Sequence, residues 1–274
     1  MATPIAVSPA QVAFLLWSAV FFGAAVAKAA SSSLGLTAGA SLALAMFLPL
    51  LIDGAVVIGI PRLRQAARDL LRRPIPRAAY AEVALIACIA MLAQPARFAG
   101  FALMAWMQGG DPNVTALGDR SALAITESSG TVALIHFALA CFAAPLVEEV
   151  MYRGFLFPLW ARRRSLVTAI VFTALVFGAG HTNYVHAFSI GVLLASLYVR
   201  TGSLRAAIFV HFVGNFTSLL SVLGRFAKPA DNHGISSWSA QITALVAFAA
   251  LTFAYLIFAT RSPTRLQSTQ PASP

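Results

Sequence analysis

The chain has 274 residues, of which 59% are hydrophobic and 10% charged, with a mean hydropathy of +0.81. So little polar surface cannot clothe a water-soluble globule of this length, which excludes a soluble enzyme or binding module. The formal charge of +10 would suit a nucleic-acid partner, but the basic residues cluster between apolar stretches, as orientation in a bilayer requires, so no nucleic acid is expected.

Eight apolar stretches follow one another near 10–30, 36–60, 79–106, 131–157, 165–181, 184–200, 205–223 and 238–260. Each can satisfy its own backbone as a helix in hydrocarbon, so the fold class expected is all-α, a polytopic membrane bundle of about eight transmembrane helices in contact with the lipid bilayer. No basic residue precedes the first stretch, which therefore reads as a retained anchor rather than a cleaved leader. The link from Pro61 to Arg77 is Arg-rich with spaced apolar residues, and it suits either a short interfacial helix or a solvated loop. The third stretch is overlong and interrupted at Gln94-Pro95-Ala96-Arg97.

These features divide the chain into N-terminal spans over 1–107, an extracytoplasmic loop over 108–130 and a helical core over 131–223. A loop with the last span covers 224–260, and a Pro/Ser/Thr/Gln tail expected to be disordered covers 261–274. Arg62, Arg64, Arg68, Arg72, Arg73, Arg77, Arg153, Arg162, Arg163, Arg164, Arg200, Arg205, Arg261 and Arg265 fall on one side of this topology. Lys28, Arg97, Arg120, Arg225 and Lys228 fall on the other. The bias places both termini in the cytoplasm, and the Ala-rich composition suits a bacterial plasma membrane. Cys88 and Cys141 lie within apolar stretches, where a small buried hydrophobe is expected and a disulfide or metal site is not.

Ionisable groups inside spans cost of order 2–3 kcal/mol each, so they face the bundle interior or perform chemistry. Asp53, Glu82, His136 and His186 read as inter-helical partners or cavity-facing groups, and Arg97 as a side chain reaching for the outer interface. The rest form patterns. In Glu148-Glu149-Val-Met-Tyr-Arg153-Gly154, helical spacing puts Glu149 and Arg153 on one face, an orienting ion pair that leaves Glu148 about 100° away as a base or ligand. Phe177-Gly178-Ala179-Gly180-His181 ends a span with an imidazole behind two glycines that admit a close neighbour. His211-Phe-Val-Gly214-Asn215 sets an imidazole and an amide on one face.

A carboxylate and an imidazole can deprotonate water, while a second imidazole and an amide can hold an oxyanion, so the inventory suits peptide hydrolysis. A metal alternative uses Glu148, His181 and His211 as zinc ligands with Glu149 as base, although no His-Glu-x-x-His is present. A third alternative is non-catalytic: an immunity or chaperone-like membrane partner, or a proton-coupled transporter.

The ordered set EEVMYRG, FGAGH and HFVGN, with Phe188-Ser-Ile-Gly191 and Tyr198-Val-Arg-Thr-Gly202-Ser203-Leu204 between the last two, resembles the motifs of the CAAX-protease and bacteriocin-processing family over about 131–223. Each motif alone is short; their order on successive spans is what carries the likeness. The resemblance implies an intramembrane endopeptidase acting on a membrane-associated protein or peptide without a cofactor. In it Glu148 and His181 would activate water, His211 and Asn215 would form the oxyanion hole, and Glu149 and Arg153 would support them.

Depth is the difficulty. At 1.5 Å per helical residue His211 lies roughly 9 Å from Arg205, whereas Glu148 and His181 lie about 21 and 24 Å from the Arg162–Arg164 cluster. Straight helices ending at a common plane would not bring them together. A break at Gly154 and Pro158 would lift Glu148 towards the cytoplasm, and either tilt or an embedded non-helical turn at His181-Thr-Asn-Tyr184 lining a wet cavity is the expected remedy for His181.

Overall fold

The computed structural model describes residues 38–107, 130–181, 183–226 and 238–262, together with isolated positions between 26 and 35 and Gly109. The first expected span at 10–30, nearly all of the 108–130 loop and the tail beyond 262 lie outside the described residues. Every regular element among the described residues is helical. We number them α1 (Ala38–Gly59), α2 (Pro61–Arg72), α3 (Tyr80–Leu92), α4 (Gln94–Met107), α5 (residues 130–161), α6 (Leu166–Ala179), α7 (Tyr184–Thr201), α8 (Leu204–Phe226) and α9 (Trp238–Arg261).

The protein is an integral membrane helix bundle. Ala133–Ala161, Tyr184–Thr201 and Ile242–Arg261 are each long and apolar enough to cross a bilayer, and the pair Pro61–Arg72 with Arg77–Leu92, bent by 76°, would make a fourth span if counted as one. Phe47–Gly59, Leu166–Ala179 and Leu204–Leu220 are apolar but shorter. The expected count of eight is thus three to four on length and composition among the described residues. A 14-residue helix such as α6 rises only about 21 Å, short of a hydrocarbon core of about 30 Å.

Local chemistry sets the ends. Ser165 caps α6 by accepting from the Thr168 amide at 3.2 Å. Asn183 caps α7 by accepting from the His186 amide at 3.2 Å while its own amide donates to the Arg97 carbonyl at 2.8 Å. Gly202 ends α7 in the left-handed region, φ 65°, with its N–H on the Tyr198 carbonyl, the usual glycine stop. The interruption of the third stretch falls at Ala93, between α3 and α4.

The Arg-rich link is a helix. α2 buries Leu63, Ala67 and Leu70 against α5 and turns Arg62, Arg68 and Arg72 outward. Its last carbonyls, which a helix end leaves without partners, are taken by the α7–α8 turn: the Arg205 guanidinium donates to Leu71, and Ser203 to Arg73.

Several intramembrane polar groups serve packing. Glu82 accepts from Arg200 at 3.0 and 3.2 Å and from the Tyr255 hydroxyl at 2.8 Å, tying α3, α7 and α9 together. His136 is buried edge-on to Phe47, and His186 stacks on Phe248. Arg97 is half-buried, with its Nη1 enclosed and its carbonyl accepting from Asn183. Cys88 and Cys141 are unpaired.

Close approach of α6 and α7 depends on glycine. A Cβ on Gly191 would stand 3.0 Å from the Ala174 Cα and 3.1 Å from its Cβ. Backbone cannot yield cheaply, so Gly191→Val should cost about 1–3 kcal/mol, read as a lowered thermal midpoint of the detergent-purified protein.

Candidate active site

α5 is one helix from 130 to 161, and the break expected at Gly154 and Pro158 does not occur. It contains two π-helical segments, Leu139–Ala143 and Val150–Leu156, on either side of the acidic pair. Such wide turns rotate the side chains that follow them relative to a regular helix and recur at functional sites. The segment between them, Ala144–Glu149, carries Glu148 and Glu149.

The deepest layer is an ion pair. Arg153 Nη1 donates to Glu149 Oε1 at 2.8 Å, and Nη2 donates to the Gly191 carbonyl at 3.0 Å. The pair is almost fully enclosed, with Arg153 1% and Glu149 0% exposed. The guanidinium also lies over the Phe177 ring, 4.7 Å from its centroid. The same Glu149 oxygen accepts from His211 Nδ1 at 2.9 Å. A carboxylate that accepts from Nδ1 fixes the imidazole's orientation and leaves Nε2 facing away from it.

Above this layer Nε2 of His211 is 3.7 Å from Glu148 Oε2, and Nε2 of His181 is 4.0 Å from the same oxygen. His181 is fixed from behind: its Nδ1 is 2.7 Å from the Phe177 carbonyl, which can only accept, so the proton sits on Nδ1. Its ring also lies against Phe177, with centroids 4.4 Å apart. Glu148 Oε2 is buried and has no hydrogen-bond partner among the described residues. The two gaps are too long for direct hydrogen bonds and set both imidazoles close to one carboxylate oxygen. Glu148 and His181 are 21% and 35% exposed, so this layer is open while the ion pair beneath it is closed.

Three expected site residues are therefore together, and the two expected supports lie directly behind them. Asn215 is placed differently: its amide donates to the Ala140 carbonyl at 2.8 Å, in the first π segment, and not to His211. Gln94 joins the same stretch of α8, donating to the Gly214 carbonyl and accepting from Ser218. Sequence reasoning did not single out Phe177 or the Gly191 carbonyl, although both lie within motifs it quoted.

The depth difficulty resolves through Gly154. A Cβ there would meet Leu70 Cδ1 at 3.0 Å and Leu204 Cδ2 at 3.9 Å, so Gly154 is level with the start of α8. Glu148 lies about six residues inward of Gly154, and His211 about seven inward of Leu204, roughly 9–10 Å in both cases. The α5–α6 turn with Arg162–Arg164 projects about 12 Å past that level. α6 runs back alongside α5 in step, with Trp160 stacked on Phe172 and Tyr152 edge-on to Phe177. His181, in the non-helical link between α6 and α7, thereby arrives opposite Glu148. The error lay in taking Arg162–Arg164 and Arg205 as one plane.

Residues 130–217 match the family model described as type II CAAX prenyl endopeptidase Rce1-like. Over this segment the chain is similar to the Rce1-like family. The match spans about a third of the chain, and it contains Glu148, Glu149, Arg153, His181, His211 and Asn215. Neither the curated proteins nor the solved structures contain a match to this chain. The protein is thus an integral membrane protein with a segment similar to CAAX-type endopeptidases.

Removing one partner of an enclosed pair leaves the other charge uncompensated, at a cost of about 3–5 kcal/mol. Arg153→Met should therefore lower the thermal midpoint of the purified protein more than Glu148→Gln does, because Glu148 is partly exposed and holds no such partner.

Proposed function

We propose that this protein is an intramembrane endopeptidase that hydrolyses a peptide bond in a membrane-associated protein or peptide substrate. The observation that carries the reading is the spacing of Glu148 Oε2 from two imidazole Nε2 atoms, 3.7 Å to His211 and 4.0 Å to His181. A water between Glu148 and His181 would give its proton to the carboxylate as its oxygen attacks the scissile carbonyl.

His211 would face the developing oxyanion. Its Nδ1–H is held by Glu149, so donation from Nε2 requires the imidazolium. Asn215 has a second amide hydrogen beyond the one given to Ala140, and that hydrogen is its means of joining the oxyanion site.

The metal reading rests on donor chemistry, since carboxylate and imidazole are zinc ligands. Among the described residues, however, no group of three such side chains is arranged to hold a metal ion, and no step here runs through one. The protein lies, on this proposal, in a bacterial plasma membrane with both termini cytoplasmic. The shorter apolar helices and the stretch at 10–30 would bring the spans towards eight. The non-catalytic reading has no structural observation in its favour.

In the full-length protein in detergent or vesicles, Glu148→Gln should reduce cleavage of prenylated or unprenylated CAAX-terminated peptides by at least about 10²-fold with the thermal midpoint preserved. Purified protein should carry well under one zinc per chain and keep its activity in chelator. Retained cleavage in the variant would refute the hydrolytic role, and stoichiometric zinc would favour the metal reading.

A further inference from the structure

Asp53 on α1 lies outside the machinery just described.

α1 crosses α5 beside the acidic pair, since a Cβ on Gly54 would lie 3.5 Å from Val147 Cγ2. This puts Asp53 next to the segment carrying Glu148. The two carboxyl groups interact electrostatically, and both interact with Tyr152. Asp53 Oδ1 is buried without a hydrogen-bond partner among the described residues, as is Glu148 Oε2. Tyr152 extends this edge of the site towards His181: a Cβ on Gly180 would be 3.7 Å from its hydroxyl.

An ionised carboxylate with an unpartnered buried oxygen is costly in lipid, and two neighbouring carboxylates cannot both ionise cheaply. Arg153 is already committed to Glu149 and neutralises neither of them. Of the two, the enclosed oxygen of Asp53, further from the imidazoles, is the cheaper place for a proton. Hydrolysis of an amide needs such a proton, because an amine leaves only when its nitrogen is protonated.

We propose that Asp53, contributed by α1 outside the family segment, is the acid that protonates the leaving amine. The proposal rests on the hydrolytic reading above. Water gives one proton to Glu148 as its oxygen bonds to the carbonyl carbon and the carbonyl electron pair moves to oxygen. As the tetrahedral intermediate collapses, the C–N bond breaks and the nitrogen takes the proton of Asp53. The proton on Glu148 then passes to Asp53, restoring both groups. One water is consumed, one carboxyl and one amine are released, and no further reactant is needed.

The test uses full-length protein and two substrates sharing one acyl segment. One is a CAAX-terminated peptide whose cleaved bond is located by mass spectrometry. The other carries a nitrophenyl ester at that bond, whose leaving group departs without a proton. Asp53→Asn should slow amide cleavage at least about 10-fold and change ester cleavage less than about 2-fold, and Asp53→Glu should recover part of the amide rate. Asp53→Ser serves the same comparison if the Asn variant does not fold. Equal loss on both substrates, or an unchanged amide rate, would overturn the role of Asp53. Glu148→Gln should slow both substrates alike, and its failure to do so would sink the hydrolytic reading itself.

Discussion

The site depends on a charge pair closed off from both water and lipid. Arg153 holds Glu149 on one side and the Gly191 carbonyl on the other, and Glu149 in turn holds His211. Isolated, either charge would be prohibitive at this depth; together, with their hydrogen bonds, they form a neutral unit that α5, α7 and α8 must close around. Because one Glu149 oxygen takes both bonds, the direction of the His211 ring is set by the same contact that neutralises the arginine. The Glu-Glu-x-x-x-Arg pattern is, in this chain, an enclosed ion pair with a second, partly exposed acid beside it.

Placement of the reactive acid follows from helix geometry. Glu148 and Glu149 are adjacent, so when one is turned into the closed layer the other must point elsewhere, here towards His181 and His211. His181 comes from a link without regular structure, steadied by the Phe177 carbonyl and ring. Glycines at 178 and 191 let α6 and α7 approach closely enough for that link to reach α5. A Cβ on Gly178 would stand 3.0 Å from the Tyr184 carbonyl.

Much of this was legible before any coordinates. The i, i+4 spacing of Glu149 and Arg153 and the interruption at Gln94-Pro95-Ala96-Arg97 each have a local cause that a sequence displays. What was not legible is relational. Nothing in the order of residues says that the α5–α6 hairpin overshoots the level of Arg205, because that depends on Leu70 of α2 wedging against Gly154. The π segments that reorient α5 have no sequence signature, and the turning of Asn215 to Ala140 depends on one of them. Asp53 was visible as a costly acid within an apolar stretch, but only the crossing of α1 over Val147 puts it beside Glu148.

The central claim is that Glu148 and His181 act on a single water and therefore as one unit. Groups that work as a unit lose their effect together, so the rate losses on their removal do not add. The most direct measurement is kcat/KM for peptide cleavage by Glu148→Gln, His181→Ala and the double variant, all verified as folded by thermal midpoint. The double variant is expected to be no slower than the slower single. Losses that multiply would contradict it, placing the two side chains in separate steps or separate sites.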